Sequence, residues 1–406
     1  MSQFFSIKTL DDLARYLEFP DYEKMKGLIY PKPYYHTFTV PKRSGGLRLI
    51  ETPGLILKTI QRKIAIEIRD KFAKRSPVAH SFIPGRSVLS NALPHVQRRS
   101  VVRIDLEDFF HQINFGRVKG VFSGQFFSFP DDVATVLAHI CCLNKRLPQG
   151  APTSPALSNF VCLSLDRQLH AIAKRFKGRY SRYADDLTFS FGSIPLEKLP
   201  KELFICNEDS SHRLVVEVGP ILSEAIKKEG FTINSKKTSG ANRDKRQMVT
   251  GIVVNKGLSL PRIQFDHIRR ALYLWRKHGY SNSIQQIIAV LHKKRYASGE
   301  LPSPAKVIHG KLTWLAHVIG RSDAKYQKLA LEFNQLAVKD GMQDLVLKLD
   351  SRVKTVNEAI SATWFLSAKE CNEDVGNEGT AFRFSGNVWV TCAHCISDFA
   401  NKKIYH

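Results

Sequence analysis

The chain has 406 residues, of which 43% are hydrophobic and 24% charged, and 61 Lys and Arg against 37 Asp and Glu give a net charge of +24. This composition excludes a disordered or collagen-like chain, and no apolar run approaches the roughly 18 residues that span a bilayer. A positive excess of this size on a folded chain indicates a polyanionic partner, most often nucleic acid.

The positive charge is unevenly distributed along the chain. Residues 356–406 carry a net charge of −2, from four basic and six acidic residues, which leaves +26 on residues 1–355. The change in composition predicts a domain boundary near residues 350–365, within the two to four domains that the length suggests.

The cysteines and the N-terminus indicate a cytoplasmic protein. Seven cysteines, an odd number, and an N-terminus without a basic segment followed by an apolar one favour reduced thiols and no export signal. Cys392 and Cys395 have CxxC spacing, but no second pair completes a zinc site, so we do not expect zinc.

Hydrophobic periodicity predicts mixed helices and strands as far as residue 254 and helices over residues 262–345. A stripe of apolar residues in the last of these helices indicates core packing. The predicted elements before residue 254 are, in chain order, a helix over 10–17, a hairpin over 34–52, a helix over 55–72, a strand over 101–105, a helix over 153–176, strands on both sides of 184–186, a helix over 221–228 and a strand over 248–254.

Three carboxylates stand out against these strands. Asp105 ends one strand, and Asp185 and Asp186 lie between apolar β segments. Adjacent acids in such a setting are unfavourable unless a cation neutralises them. Three carboxylates can hold two Mg²⁺ ions about 3.5–4 Å apart, a spacing that suits phosphoryl transfer. A solvated Asp-Asp turn is the alternative that these residues leave open.

Four segments together resemble the motifs of reverse transcriptases. Residues 183–186 (YADD) resemble their second carboxylate motif, and residues 105–110 (DLEDFF) resemble the first. Residues 147–155 (LPQGAPTSP) resemble the motif between these two, and residues 230–238 (GFTINSKKT) resemble the next one. The resemblance covers about residues 30–345 and implies an α+β right-hand polymerase with fingers, a palm with an antiparallel sheet, and a helical thumb.

Two short signatures narrow the resemblance to retron reverse transcriptases over their group II intron and diversity-generating relatives. Residues 91–95 (NALPH) resemble the retron NAxxH signature, and residues 249–251 resemble the VTG signature. A polar loop at a helix end and a strand with a turn are the alternatives. On the resemblance, the residues assigned to RNA recognition are Asn91, Ala92, His95, Val249, Thr250 and Gly251.

The resemblance also implies the roles of the site residues. The ligands of two Mg²⁺ ions would be Asp105, Asp185, Asp186 and the backbone carbonyl of Leu106. Phe110 matches a ring that clashes with a 2′-hydroxyl and so selects dNTPs. Solvated charges and a core Phe are the alternatives for the nucleotide-binding set, which is Lys42, Arg48, Phe110, Gln149 and Lys237.

The implied domain organisation follows the polymerase motifs. Basic residues between 262 and 296 alternate with Tyr273, Trp275 and Tyr296, which suits contact with a nucleic-acid backbone and base stacking. A solvated basic helix face over an aromatic core is the alternative. The predicted domains are 1–96, the N-terminal region and fingers; 97–255, the palm with a fingers insertion around 117–150; 256–350, the thumb; and 356–406, an incomplete protease-like segment.

The function implied is that of a retron RNA-directed DNA polymerase. It would copy a cognate structured non-coding RNA, which is both template and primer, into RNA-linked DNA (msDNA) from dNTPs, in anti-phage defence. We expect a bacterial cytoplasmic location and no membrane. A non-catalytic nucleic-acid-binding scaffold, or a sensor for a fused protease effector, is the alternative, and the three intact aspartates argue against the scaffold.

The C-terminal segment resembles the start of a trypsin-like serine protease. Residues 388–395 (VWVTCAHC) match a strand that leads to the catalytic His, which would be His394, with Cys392 in place of the usual Ala. The triad also needs an Asp and a Ser further along, which this chain lacks, so we expect no protease activity. The segment is then part of a longer fusion with an effector protease, a vestige, or a coincidental likeness.

Overall fold

The computed structural model describes residues 3–42, 45–72, 76–208, 214–291, 303–349, 363–368, 377–385, 388–391 and 404–405. The chain divides into two compact units, Met1–Phe265 and Asp266–His406. None of the described helices is long and apolar enough to cross a membrane.

The first unit alternates helices and strands. Its helices are α1 (Leu10–Tyr16), α2 (Tyr22–Lys26), α3 (Leu55–Phe72), α4 (Val88–Ala92), α5 (Phe115–Ser123), α6 (Asp131–Cys141), α7 (Ser154–Val161), α8 (Leu163–Arg175) and α9 (Pro220–Lys228). Its strands are β1 (Tyr35–Pro41), β2 (Leu47–Pro53), β3 (Ser100–Asp105), β4 (Gly178–Tyr183), β5 (Asp186–Phe191), β6 (Phe204–Glu208), β7 (Leu214–Val218), β8 (Ser239–Asn242), β9 (Met248–Val249) and β10 (Ile252–Val253).

A four-stranded antiparallel sheet forms the centre of this unit, in the order β4-β5-β3-β8. β5 is buried along its length after its first residue, and β3 is buried from Ser100 to Val102, because both are inner strands of the sheet. α8 packs against β4 and α9 and covers the sheet with its apolar side. Burial therefore fixes the pairing register of β3 and β5, and with it the positions of their ends relative to each other.

The predicted elements before residue 254 are present, with two differences. The predicted helix over 153–176 is two helices, α7 and α8, because Cys162 between them has ψ of 2°, outside the helical range. The predicted strand over 248–254 is the hairpin β9–β10, because Thr250 and Gly251 have φ of 47° and 84°. Positive φ at both central residues makes a tight turn that reverses the chain.

The predicted fingers hairpin is formed by β1 and β2, which pair from Tyr35 with Pro53 to Pro41 with Leu47. Gly45 and Gly46 have φ of 88° and 76°, which only glycine adopts freely, so the glycine pair makes the turn possible. Ser44 lies outside the described residues.

The second unit contains helices α10 (Arg262–His278, which begins in the first unit), α11 (Tyr280–Leu291), α12 (Pro304–Ile319) and α13 (Ala324–Lys339). The apolar stripe of α13 is buried, as predicted, and consists of Tyr326, Leu329, Phe333 and Leu336. Trp275 is also buried, with its Nε1 donating to the Asp340 carboxylate at 2.6 Å, so it cannot stack on a base as we predicted. Tyr273 is exposed, and Tyr296 lies outside the described residues.

The end of the chain forms a second antiparallel sheet, in the order β13-β12-β11-β14. Its strands are β11 (Thr363–Ala368), β12 (Asn377–Ser385), β13 (Val388–Thr391) and β14 (Ile404–Tyr405). Cys392, His394 and Cys395 lie outside the described residues. The domain boundaries and the protease likeness of this segment stay predictions.

Candidate active site

The three predicted carboxylates come together at one end of the central sheet. Asp105, the last residue of β3, is directly opposite Asp186, the first residue of β5. Asp185 lies beside them in the two-residue turn between β4 and β5, and its carbonyl accepts a hydrogen bond from Leu106 N at 3.0 Å. Antiparallel pairing therefore brings together residues that are distant in the chain.

The turn that carries Asp185 is held on both sides of Ala184, whose φ is 57°. Ala184 N donates to the hydroxyl of Ser81 at 2.7 Å, and its carbonyl accepts from Arg182 Nη1 at 3.3 Å. A non-glycine residue with positive φ is unfavourable, so these contacts are what keep the turn in place.

Arg182 is fully buried and forms a two-point ion pair with Asp166 of α8. Its Nε and Nη2 atoms donate to the two carboxylate oxygens, both at 2.8 Å. Nη2 also donates to Asn159 Oδ1 at 3.2 Å, and Tyr180 donates to Asp166 Oδ1 at 2.9 Å. Burial alone would lower the pKa of Arg182, but the Asp166 carboxylate outweighs it and raises the pKa, so the guanidinium stays charged.

Sequence reasoning missed this ion pair. The available signal was an acid on the apolar side of a helix, since Asp166 lies between Leu165 and Leu169, both fully buried. A charged residue at such a position needs an opposite charge, but the sequence does not say that Arg182 supplies it.

The carboxylate cluster holds more negative charge than its surroundings neutralise. The pKa of Asp186 is raised to about 6, first by burial and then by the charges of Asp185 and Asp105, against the opposing charges of Arg103 and Lys237. Burial also raises the pKa of Asp185, with Asp105 adding to the shift and Lys237 and Arg48 opposing it. A group that is both buried and surrounded by like charge favours its neutral form.

Lys237 supplies part of the missing positive charge. Its Nζ donates to both oxygens of Asp105, at 2.9 and 3.2 Å, and this bond raises the pKa of Lys237. Within the described part of the chain, no three His, Cys, Asp or Glu side chains are arranged to hold a metal ion. The residual negative charge and the oxygen-only donors nevertheless fit hard divalent cations, with an ammonium group already standing where a cation is favoured.

The predicted fingers residues lie on the β1–β2 hairpin. Arg48, opposite Val40 in the hairpin, is exposed, and its charge lowers the pKa of Asp185. Lys42 is exposed at the end of β1, where its backbone N donates to Gly46 O at 2.9 Å. The hairpin thus carries two cations, of which Arg48 acts on the carboxylates electrostatically.

The loop with Gln149 is attached to this hairpin. Gln149 O accepts from Glu51 N of β2 at 2.9 Å. At Gly150, with φ of 137°, an added Cβ would lie 2.7 Å from Glu51 O, so only glycine allows this approach. The close contact fixes the loop to β2, and Gln149 is placed between the fingers hairpin and α7.

Phe110 is half-buried and not a core residue. Its ring lies 5.3 Å from that of Phe109 and 6.4 Å from that of Phe82. Phe109 is the core residue of the pair, since it is buried and stacks on Phe231 at 5.5 Å. Because Phe109 is in the core, its neighbour Phe110 stays partly exposed, in the segment that follows Asp105 in the chain.

The residues of the first retron signature are buried, which corrects the role that we predicted for their side chains. His95 is fully buried between β4 and β5, where it bonds Ser181 Oγ at 2.8 Å and Ser190 Oγ at 2.7 Å. Burial lowers the pKa of His95 to about 3, so the imidazole is neutral. Asn91 and Ala92 are fully buried as well. These side chains cannot reach RNA directly, and His95 instead ties together the two strands of the Asp185 hairpin.

The second signature lies against the first. α4, which contains Asn91, packs against β9 and β10, and Thr250 Oγ1 donates to Val88 O at 3.3 Å. Val249 is buried, whereas Gly251 is exposed. Among the six residues assigned to RNA recognition, Thr250 and Gly251 are therefore the two that reach the surface.

This arrangement is that of a polymerase palm in a right-hand fold: an antiparallel sheet that presents one carboxylate from a strand end and two from the adjacent hairpin. Comparisons with known proteins agree. Residues 40–254 match the family described as "Reverse transcriptase (RNA-dependent DNA polymerase)".

Curated relatives narrow the family. The chain is 38% identical over 259 residues to the Retron Mx65 reverse transcriptase of Myxococcus xanthus. The matched region covers 59% of this chain and 56% of that protein. It is 33% identical over 255 residues to the Retron Ec86 reverse transcriptase of Escherichia coli, which covers 62% of this chain and 73% of that protein. The chain belongs to the reverse transcriptase family and, within it, to the retron reverse transcriptases.

The match covers only part of some relatives. The chain spans about half the length of the two Myxococcus xanthus relatives that it matches, 56% of the Mx65 enzyme and 51% of the Mx162 enzyme. A solved telomerase from Candida albicans is similar at a TM-score of 0.40 and 8% identity, over 77% of this chain and 64% of that one, which is too loose to add to the assignment.

Replacing Arg182 with Met should lower the free energy of unfolding by about 3–5 kcal/mol, because Asp166 is then left buried without its partner. Chemical denaturation measures the change. Arg179, an exposed residue of the same strand, is the matched control, and Arg179→Met should change stability by no more than about 0.5 kcal/mol. A loss below about 1 kcal/mol for Arg182→Met would contradict the importance of the pair.

Asp186→Asn should stabilise the protein at pH 8 in the absence of divalent cations. The raised pKa of about 6 means that the folded state holds the proton more tightly than the unfolded state, so stability falls as pH rises from about 4 to about 6. The amide cannot ionise, and the gain is at most about 3 kcal/mol.

Denaturation of both proteins in EDTA between pH 4 and pH 8 measures this difference. The stability of the variant minus that of the wild type should grow with pH and level off above about pH 6.5. Asp244→Asn, at an exposed residue, is the control and should leave the stability at pH 8 within about 0.5 kcal/mol of that of the wild type. A variant that is less stable than the wild type at pH 8 would show that Asp186 is not under electrostatic strain.

Proposed function

We propose that this chain is an active RNA-directed DNA polymerase that copies a cognate structured non-coding RNA, both template and primer, into RNA-linked DNA. The observation that carries the proposal is the register that sets Asp105 opposite Asp186 with Asp185 beside them, in a chain of the retron reverse transcriptase family. A binding scaffold has no need for a cluster of acids whose ionised form is unfavourable.

Each residue of the site has a task in this proposal. Asp105, Asp185 and Asp186, with the carbonyl of Leu106, hold two divalent cations, taken to be Mg²⁺. When bound, the cations supply charge stabilisation for the attacking and leaving oxygens of nucleotidyl transfer. Lys237 holds Asp105 in position before the cations bind and is then free to face the pyrophosphate.

The remaining residues bind the nucleotide. Arg48 and Lys42 bind the triphosphate of the dNTP, since a guanidinium fork and an ammonium suit phosphate oxygens. Phe110 excludes a 2′-hydroxyl from the sugar position, and Gln149 lines the pocket beside it.

The proposal extends to the cellular role of the product. The RNA-linked DNA serves anti-phage defence in the bacterial cytoplasm, and the named retron relatives are bacterial proteins. A fusion to a protease effector through residues 356–406 is a further part of the proposal.

The first test replaces the metal-binding pair. The chain is expressed with its neighbouring non-coding RNA, and total nucleic acid is analysed on gels before and after ribonuclease treatment. Wild type should give RNA-linked DNA, and the Asp185→Asn, Asp186→Asn double variant should give none, because its amides cannot replace the anionic ligands. Asp244→Asn is the control and should give product at the wild-type level.

Two outcomes would overturn the proposal. Product from the double variant would show that these aspartates are not the metal ligands. RNA that copurifies with the wild type, without any DNA, would favour the scaffold instead.

The second test concerns the sugar. Phe110→Val should lower the preference for dNTP over rNTP, expressed as the ratio of kcat/KM values, by about tenfold or more, which corresponds to about 1.4 kcal/mol. Single-nucleotide extension measures the ratio. The half-buried Phe176, at the end of α8, supplies the control Phe176→Val, which should leave the ratio unchanged. An unchanged ratio in Phe110→Val would remove Phe110 from the sugar site.

A further inference from the structure

Phe82 has a backbone conformation that is unfavourable for its side chain. Its φ is 60°, in the left-handed region that bulky residues rarely adopt, and the residue is 40% exposed. An aromatic ring that is held in a strained conformation and left partly in water contributes little to folding. Such a residue points to a function of the ring itself.

The backbone on both sides of Phe82 is tied to the active-site hairpin. His80 N donates to Arg182 O at 2.8 Å, and Ser81 accepts from Ala184 N through its hydroxyl and from Asn159 Nδ2, at 2.9 Å, through its carbonyl. On the other side, Ile83 is buried, and its carbonyl accepts from Arg86 N at 3.1 Å. These contacts fix the backbone on both sides of Phe82. One of them, from Ala184 N to the Ser81 hydroxyl, also holds the Asp185 turn.

The ring of Phe82 lies near the ring of Phe110 and also lines a cavity. The centroids of the two rings are 6.4 Å apart. The cavity, called the Phe82 cavity, is open, has a volume of about 690 Å³ and a mostly apolar lining, and includes two exposed arginines of α3. Its lining includes Arg62, Ile66, Arg69, Phe82, Pro152 and Pro155.

We infer that Phe82 is a stacking platform for an unpaired base of the RNA template, and that the Phe82 cavity takes the template strand ahead of the active site. Aromatic side chains with flanking cations are the chemistry that binds single-stranded nucleic acid. Arg62 forms no ion pair with another described residue. Arg69 forms an exposed ion pair with Asp70, at 3.2 Å, and an exposed pair is weak enough to be exchanged for a phosphate.

The strand in the Phe82 cavity is the template and not the incoming nucleotide. The triphosphate of the nucleotide must lie at the carboxylates, and Phe110 is already at its sugar. Arg62 and Arg69 of α3 line the Phe82 cavity and are a set of cations separate from Lys42 and Arg48 of the hairpin, and a phosphodiester backbone is the anion that they fit. This inference rests on the proposed function, and it adds the position at which the template enters.

The test separates the ring from the fold. An RNA template annealed to a DNA primer carries 2-aminopurine at the first unpaired template position, and binding is followed by anisotropy and by quenching of the 2-aminopurine. Phe82→Ala and Phe82→Gly should both lose the quenching and bind this template about tenfold more weakly. Phe82→Trp should keep both properties, and all variants should bind a blunt-ended duplex like the wild type.

Thermal unfolding of the same variants provides the second readout. Phe82→Gly should melt at a higher temperature than Phe82→Ala, because Ala keeps the Cβ that a φ of 60° disfavours and Gly does not. If the ring served only the fold, binding would be lost in proportion to stability, and the Gly variant would bind better than the Ala variant. Val215→Ala, at an exposed apolar residue of β7, is the control and should change neither binding nor quenching.

The outcomes also separate this inference from the proposed function. Wild type that binds and quenches the template without making DNA would leave the platform supported and the polymerase proposal refuted. Equal quenching in wild type and Phe82→Ala would overturn the platform while leaving DNA synthesis intact. Wild type that does not bind the template at all would overturn both.

Discussion

The candidate active site depends on one buried ion pair, Arg182 with Asp166. Arg182 Nε and Nη2 donate to the two carboxylate oxygens of Asp166. Nη2 also donates to Asn159, and Nη1 donates to the carbonyl of Ala184. A buried charge is tolerated only when its partner and its remaining donors are satisfied, so the position of Arg182 is tightly specified. That position in turn fixes the turn of Asp185, because Arg182 is two residues before Ala184.

The net charge of the chain and the charge of the carboxylate cluster have opposite signs. The chain as a whole carries +24, yet the end of the central sheet gathers three carboxylates, two of which have raised pKa values. Lys237 and Arg48 offset this repulsion from different elements. The repulsion that remains among the carboxylates is therefore local, in a chain whose net charge has the opposite sign.

The sequence predicted the elements well where one periodicity was strong. α3 begins and ends where its isoleucine spacing indicated, and β3 and the β4–β5 hairpin lie where the carboxylates were expected. Predictions were wrong where the environment decided. Trp275, predicted to stack on bases, is buried against Asp340, and Asn91, Ala92 and His95, predicted to recognise RNA, are fully buried. Residue type and spacing do not say which face of a short segment is covered.

The sequence by itself determined the family of this protein, because the acidic motifs, their order and the retron signatures are local patterns. Only the tertiary structure decided which side chains work together. Contacts between residues distant in the chain form the Arg182–Asp166 pair and the hydrogen bonds of His95 to Ser181 and Ser190. The strained backbone of Phe82 is likewise visible only in the folded chain. Burial and backbone conformation are properties of the packed molecule, and no local pattern encodes them.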